Sequence, residues 1–97
     1  MKYLVQIEVD PAMGSELEQD PAAIQKLMEA WQAHNPIGMY VSMTRRAVTV
    51  ILEAPNEDAF FKTLHATWVT TESYPEVTPI VSAEEFPAIM QRLGMKP

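Results

Sequence analysis

The sequence predicts an α+β sandwich, a four-stranded antiparallel sheet with helices on one face and a short helix after the last strand. Three observations predict it. Four short runs rich in β-branched and aromatic residues carry strand patterning. Two stretches with helical spacing fall after the first and third of these runs, giving the order β-α-β-β-α-β. The last run, PEVTPIV (75–81), contains Pro79, which cannot donate to a sheet ladder and so belongs on an edge strand.

The first run, KYLVQIEV (2–9), turns Tyr3, Val5, Ile7 and Val9 to one side and Leu4, Gln6 and Glu8 to the other. DPAMGSELEQ (10–19) is polar and carries Pro11 and Gly14, so a loop or broken turn is expected there. Asp20-Pro21 then supplies a capping carboxylate and a proline where no backbone donor is needed. Ile24, Leu27, Met28 and Trp31 follow as one buried stripe, ended by Asn35-Pro36, with His34 suited to capping the last carbonyls.

IGMYVSM (37–43) and AVTVILE (47–53) are close enough to form an antiparallel hairpin. Without Gly or Asn between them, the connection should be longer than a tight primed turn. Asn56 caps the next helix, Glu57 and Asp58 suit the positive end of its dipole, and Phe60, Phe61, Leu64 and Trp68 form its expected buried stripe. After the edge strand, Ser82 and Glu85 have capping-box spacing. Phe86, Ile89, Met90 and Leu93 then make a short apolar stripe, with Gly94 as its stop and Pro87 marking either its start or a kink.

With right-handed crossovers and short connections, this order folds most simply as a single ferredoxin-like domain over residues 1–97. Its two helices cover only one sheet face. The face with Val5, Ile7, Val9, Val48, Val50 and Leu52 is uniformly apolar and is assigned to them. The opposite face, with Leu4, Gln6, Glu8, Tyr40, Ser42, Thr49 and Ile51, is too apolar for open solvent and too polar for a dry core. A second copy of the same sheet, with water or a ligand among the polar groups, would satisfy both properties.

Three passages, MKYLVQIEVDP, ILEAPNEDAFFKTL and YPEVTPIVSAEEF, give the chain a resemblance to the dimeric α/β-barrel superfamily. Within it, the likeness is to muconolactone-isomerase-like proteins and related small bacterial families of unknown function. The resemblance implies a homodimer, or a larger assembly of dimers, with a small-molecule pocket. It hands over no catalytic residue: where those isomerases tend to carry a histidine early in the second helix, this chain has Phe60-Phe61.

Composition removes several classes of function. Seven basic residues against thirteen acidic ones give a net charge of −6, and Arg45-Arg46 is the only basic pair, so no nucleic-acid partner is expected. No apolar run is long enough to span a membrane, and the alternating N-terminus is read as a mature first strand. There are no cysteines, so thiolate chemistry is absent and a cytoplasmic location is expected. His34 and His65 lack metal-ligand spacing, and no nucleotide-binding or serine-hydrolase pattern occurs, so neither metal nor cofactor is expected.

The catalytic candidates are His65, Glu8 and Tyr40. His65 is placed on the Phe61 and Trp68 side of its helix, where an imidazole could serve as a general base, although a boundary histidine bonded to a turn or to water would look the same. Glu8 sits in mid-strand on the half-covered face, where a carboxylate must be paired, hydrated or used. A Glu8–Tyr40 pair could move a proton at an activated carbon; a water-filled dimer seam is the plainer alternative. Gln6, Trp68 and Tyr74 are the ligand-binding candidates. Two functions follow from these readings. One is a cofactor-free isomerase or oxygenase acting on a small aromatic-derived or lactone-like metabolite. The other is a non-catalytic dimeric module that binds a ligand or regulates.

Overall fold

A computed structural model describes residues 1–95. Strand β1 (Lys2–Glu8) is followed by helices α1 (Pro11–Glu18) and α2 (Pro21–Gln32), then by β2 (Gly38–Val41) and β3 (Ala47–Glu53). Helix α3 (Glu57–Thr71), β4 (Glu76–Ile80) and α4 (Phe86–Arg92) complete the chain. The four strands form one antiparallel sheet in the order β2-β3-β1-β4, which is a ferredoxin-like arrangement and puts Pro79 on an edge strand.

The register sorts side chains as the alternation predicts. Met39, Val50, Val5 and Val77 share one row across the sheet, on the face covered by helices. Val5, Ile7, Val50 and Leu52 are buried there against Trp31 and Phe60. Phe60 meets Trp31 edge-on, with ring centroids 6.3 Å apart, and Tyr3 at 5.8 Å. Aromatic pairs at such separations add to what burial alone contributes. On the other face, Tyr40, Thr49, Gln6 and Glu76 form the corresponding row, one residue out of phase.

Three sequence expectations are corrected. Residues 11–18 form α1 instead of a loop. Asp10 caps this helix by accepting from the backbone N–H groups of Ala12 and Met13, with Pro11 in the first turn, so Asp10-Pro11 repeats the signal of Asp20-Pro21. Gly14, which argued against a helix, gives the Arg46 side chain room to lie close across α1: a β-carbon at this position would force that side chain to shift.

The buried face of α3 is also displaced. Phe60 is buried and Leu64 partly so, but Phe61 is 66% and Trp68 40% exposed, while Thr63, Thr67 and Thr71 occupy the interior. Each threonine hydroxyl donates to the carbonyl four residues back, at 3.0, 2.8 and 2.8 Å, which removes the cost of burying it. His34 is the third correction. Its side chain does not cap α2; its Nε2 lies 2.8 Å from the Thr63 hydroxyl oxygen. The Thr63 hydrogen is committed to the Ala59 carbonyl, so His34 Nε2–H is the donor to that oxygen.

The hairpin connection is the longer one expected, with Ser42 N–H donating to Ala47 O across residues 43–46. The α4 segment starts at Phe86 beside Pro87, after a turn in which Glu85 N–H donates to the Ser82 hydroxyl. This helix stands away from the sandwich, leaving Phe86, Leu93 and Met95 exposed. Among the described residues, no helix is long and apolar enough to cross a membrane.

Candidate functional site on the uncovered sheet face

No helix covers the face built from the Tyr40–Thr49–Gln6–Glu76 row. A solvent-open cavity of about 610 Å³ lies at the end of this face where β1 finishes and β3 begins. Gln6, Glu8, Tyr40 and Tyr74 all line it, so four of the six residues nominated from sequence converge there. Strand alternation delivers Gln6 and Glu8, register delivers Tyr40, and the turn before β4 delivers Tyr74. A β-carbon at Gly38 would come within 2.7 Å of the Tyr40 ring, so this glycine lets the ring lie back over β2.

Arg45 and Glu76, also in the lining, were not nominated. Arg45 Nη1 stands 3.6 Å from Glu8 Oε1, placing a cation beside the mid-strand carboxylate. Both groups are more than half exposed, so water screens the pair and its role is to present charge. Only the register could have revealed Glu76, which faces Gln6 across β1 and β4. Chemically, the cavity offers a carboxylate able to accept a proton, a phenol able to donate or accept one, an amide, and a guanidinium suited to a carbonyl or carboxylate oxygen.

The other two nominated residues are elsewhere. His65 is exposed on the outer side of α3, beside Ala23, Lys26 and Val69. It neighbours Trp68, ring centroids 5.9 Å apart, and does not line the cavity. Trp68 stacks on Tyr74 at 5.3 Å with only 17° between the rings. Tyr74 therefore links the α3 flank to the cavity rim. It is the member of the His65–Trp68–Tyr74 group that reaches the site.

A second opening lies on the helix side. A cleft of about 260 Å³ separates α1 and α2 from β2 and β3, lined by Val9, Leu17, Leu27, Met28, Trp31 and Val48 among others. At its mouth Arg46 Nε donates to Glu18 Oε1 at 3.0 Å. That hydrogen bond, followed by the Arg46 charge, holds the Glu18 carboxyl below the usual glutamate range. No group of three His, Cys, Asp or Glu residues among the described residues could hold a metal ion.

Fold and site together define a small α+β protein with a ferredoxin-like sheet, a polar cavity on its uncovered face and an apolar cleft beneath its helices. The chain matches the family described as Domain of unknown function (DUF3303) over residues 1–94, and it belongs to that family. No curated protein and no solved structure gives a significant match.

Proposed function

We propose that the chain acts as a homodimer whose two uncovered sheet faces pack on each other, enclosing the polar cavity as a small-molecule site where Glu8 and Tyr40 transfer protons. The observation that carries this reading is the convergence of Gln6, Glu8, Tyr40, Tyr74 and Arg45 on one cavity of about 610 Å³. In a cofactor-free isomerisation, the Glu8 carboxylate takes a proton from the carbon beside a substrate carbonyl. The Tyr40 hydroxyl donates a hydrogen bond to the carbonyl oxygen as the electron pair moves there; protonated Glu8 then delivers its proton to the new carbon as the pair returns, leaving carboxylate and phenol as they began. Arg45 steadies the developing oxyanion. The substrate class that fits is a small lactone-like or aromatic-derived carbonyl compound, in keeping with the likeness to muconolactone-isomerase-like proteins.

Surface accounting supports the dimer. A folded chain of 10.9 kDa is expected to expose about 5,600 Å², and this one exposes 7106 Å². Its radius of gyration is 15.6 Å, where a compact chain of this length has about 12.5 Å. The surplus, roughly 1,500 Å² per chain, is more than the ~800 Å² each partner gives to a standard interface and falls in the range of obligate homodimers. The test is a thermal-shift screen against small carbonyl metabolites, then turnover assays with Glu8→Gln and Tyr40→Phe. Loss of turnover with retained binding supports the proton-transfer roles, and unchanged turnover in both variants contradicts them.

The second reading, a non-catalytic module that sequesters its ligand, is favoured by the helix-side cleft. Its floor is apolar, and Glu8, Tyr40 and His65 are absent from its lining. Ligand contacts mapping to that cleft, without turnover, would select this reading.

A further inference from the structure

Arg46 stands immediately before β3, and its side chain lies along α1 at the mouth of the cleft. Its Nε donates to Glu18 near the C-terminal end of that helix and its Nη1 to the Pro11 carbonyl, 3.4 Å away, at the N-terminal end. Gly14, buried beneath the arginine side chain, lets it cross α1 at close range. The helix has little else holding it down. Met13 and Leu17 are half-buried, and the remaining side chains face solvent. One side chain thus clamps both ends of a short, weakly embedded helix.

Beneath that helix lies the cleft of about 260 Å³. Trp31, in its lining, is fully buried, and its indole N–H is already given to Thr67 Oγ1 at 2.9 Å. Thr71, also in the lining, donates its hydroxyl to Thr67 O at 2.8 Å. These buried polar groups have nothing left to offer a polar ligand, and the cleft's charges, Arg46 and Glu18, are paired with each other at the mouth. An apolar void of ~150 Å³ stays dry and admits benzene. This cleft is larger and open at its mouth, and its volume and apolar walls accommodate a bicyclic ring.

We propose that the cleft beneath α1 binds an uncharged, hydrocarbon-like bicyclic ring, and that α1 is its lid, latched at the cleft's mouth by Arg46. This inference rests on the sequestering reading, whose site it supplies with a ligand class and a gate. The latch stands at the mouth of the cleft, so its removal with the stem kept alters the gate more than the apolar walls that hold the ring. Breaking the latch therefore changes the rates of entry and exit together and leaves affinity nearly unaltered.

The probe is naphthalene, with 1-naphthoate as the same ring carrying a charge. Titration of the ¹⁵N-labelled chain should move the Trp31 indole N–H in a saturable way with naphthalene, and at least tenfold more weakly with 1-naphthoate. Leu17→Trp, which fills the cleft from the lid, should weaken naphthalene binding at least tenfold. Arg46→Met keeps the stem and removes both latch bonds. It should raise the association and dissociation rates about tenfold with affinity within threefold of wild type. Unchanged rates in Arg46→Met overturn the latch. Equal or tighter binding of 1-naphthoate in the cleft overturns the neutral-ring assignment while leaving sequestration standing. No saturable shift with either probe, or shifts confined to Tyr40 and Ile51 on the uncovered face, overturns the inference and the sequestering reading together.

Discussion

Trp31 donates its indole N–H to Thr67 Oγ1 at 2.9 Å, joining the C-terminal parts of α2 and α3 inside the core. Both side chains are fully buried, and the Thr67 hydroxyl donates in turn to the Thr63 carbonyl. Every hydrogen-bonding group of the pair is thereby used, which permits a threonine at a position that expects an aliphatic residue. Thr67→Val has nearly the same shape but leaves the indole N–H buried without an acceptor. Such orphaning costs about 1–3 kcal/mol, so urea unfolding should show a loss of that size, with Thr67→Ser recovering most of it.

That pair also shows why the strands were more legible in the sequence than the third helix. Alternation along 2–9 and 47–53 is enforced by the pleat, so Val5, Ile7, Val50 and Leu52 could be placed without knowing their neighbours. Phe61 and Trp68 were expected inside because they are large and apolar. The interior instead took Thr63, Thr67 and Thr71, whose hydroxyls find partners in the helix itself and, for two of them, in Trp31 and His34. Partners 29 and 36 residues away are not visible in a local pattern. The same limit hid α1: Gly14 looked like a break until Arg46, remote in sequence, was found across it. Of the site, Gln6, Glu8, Tyr40 and Tyr74 were legible from alternation and residue type. Glu76 needed the register, and Arg45 needed the path of the hairpin connection that brings it to Glu8.

Ala54 sits at φ 43°, in the left-handed region that disfavours residues with a β-carbon. Its N–H still donates to Met1 O at 2.9 Å, so the turn leading to α3 holds the strained conformation. Ala54→Gly relieves the side-chain strain against the added chain entropy of glycine. The net expectation is a gain of up to about 1 kcal/mol, measured as a rise in the melting temperature.

The Glu18–Arg46 contact should respond to acid. Arg46 lowers the Glu18 carboxyl, so the contact contributes fully above the unfolded glutamate value of about 4.3 and is lost as pH falls through the lower folded value. NMR should therefore show α1 amide resonances titrating together with the Glu18 side chain at acid pH. Glu18→Gln should abolish that titration while α3 resonances stay unmoved. Since the pair is exposed, raising the salt concentration should weaken its effect.

The arm beyond β4 makes a distinct prediction. A seven-residue helix is too short to persist alone in water, and α4 stands away from its own sandwich with Phe86 and Leu93 exposed. Its root is tied to β1 by Lys2 Nζ and Glu85 Oε1, 3.9 Å apart. A second copy is the surface that the dimer proposal offers this stripe. Truncation after Val81 should lower thermal stability and shift the assembly toward monomer at low micromolar concentration. A truncated chain with unchanged mass and melting would show that the arm has no such role.

The proposed dimer turns on Ile51, which shares a row of the uncovered face with Leu4, Gly38 and Thr78. Its side chain is half-buried in the single chain and would lie well inside a face-to-face interface. Ile51→Lys would desolvate a charge near its symmetry mate there, and on a monomer it would only add a solvated amine to a surface strand. The most direct measurement is light scattering of wild type and Ile51→Lys at matched micromolar concentrations. The account predicts about twice the chain mass for wild type and the mass of one chain for the variant, with circular dichroism unchanged. A monomeric wild type would contradict it.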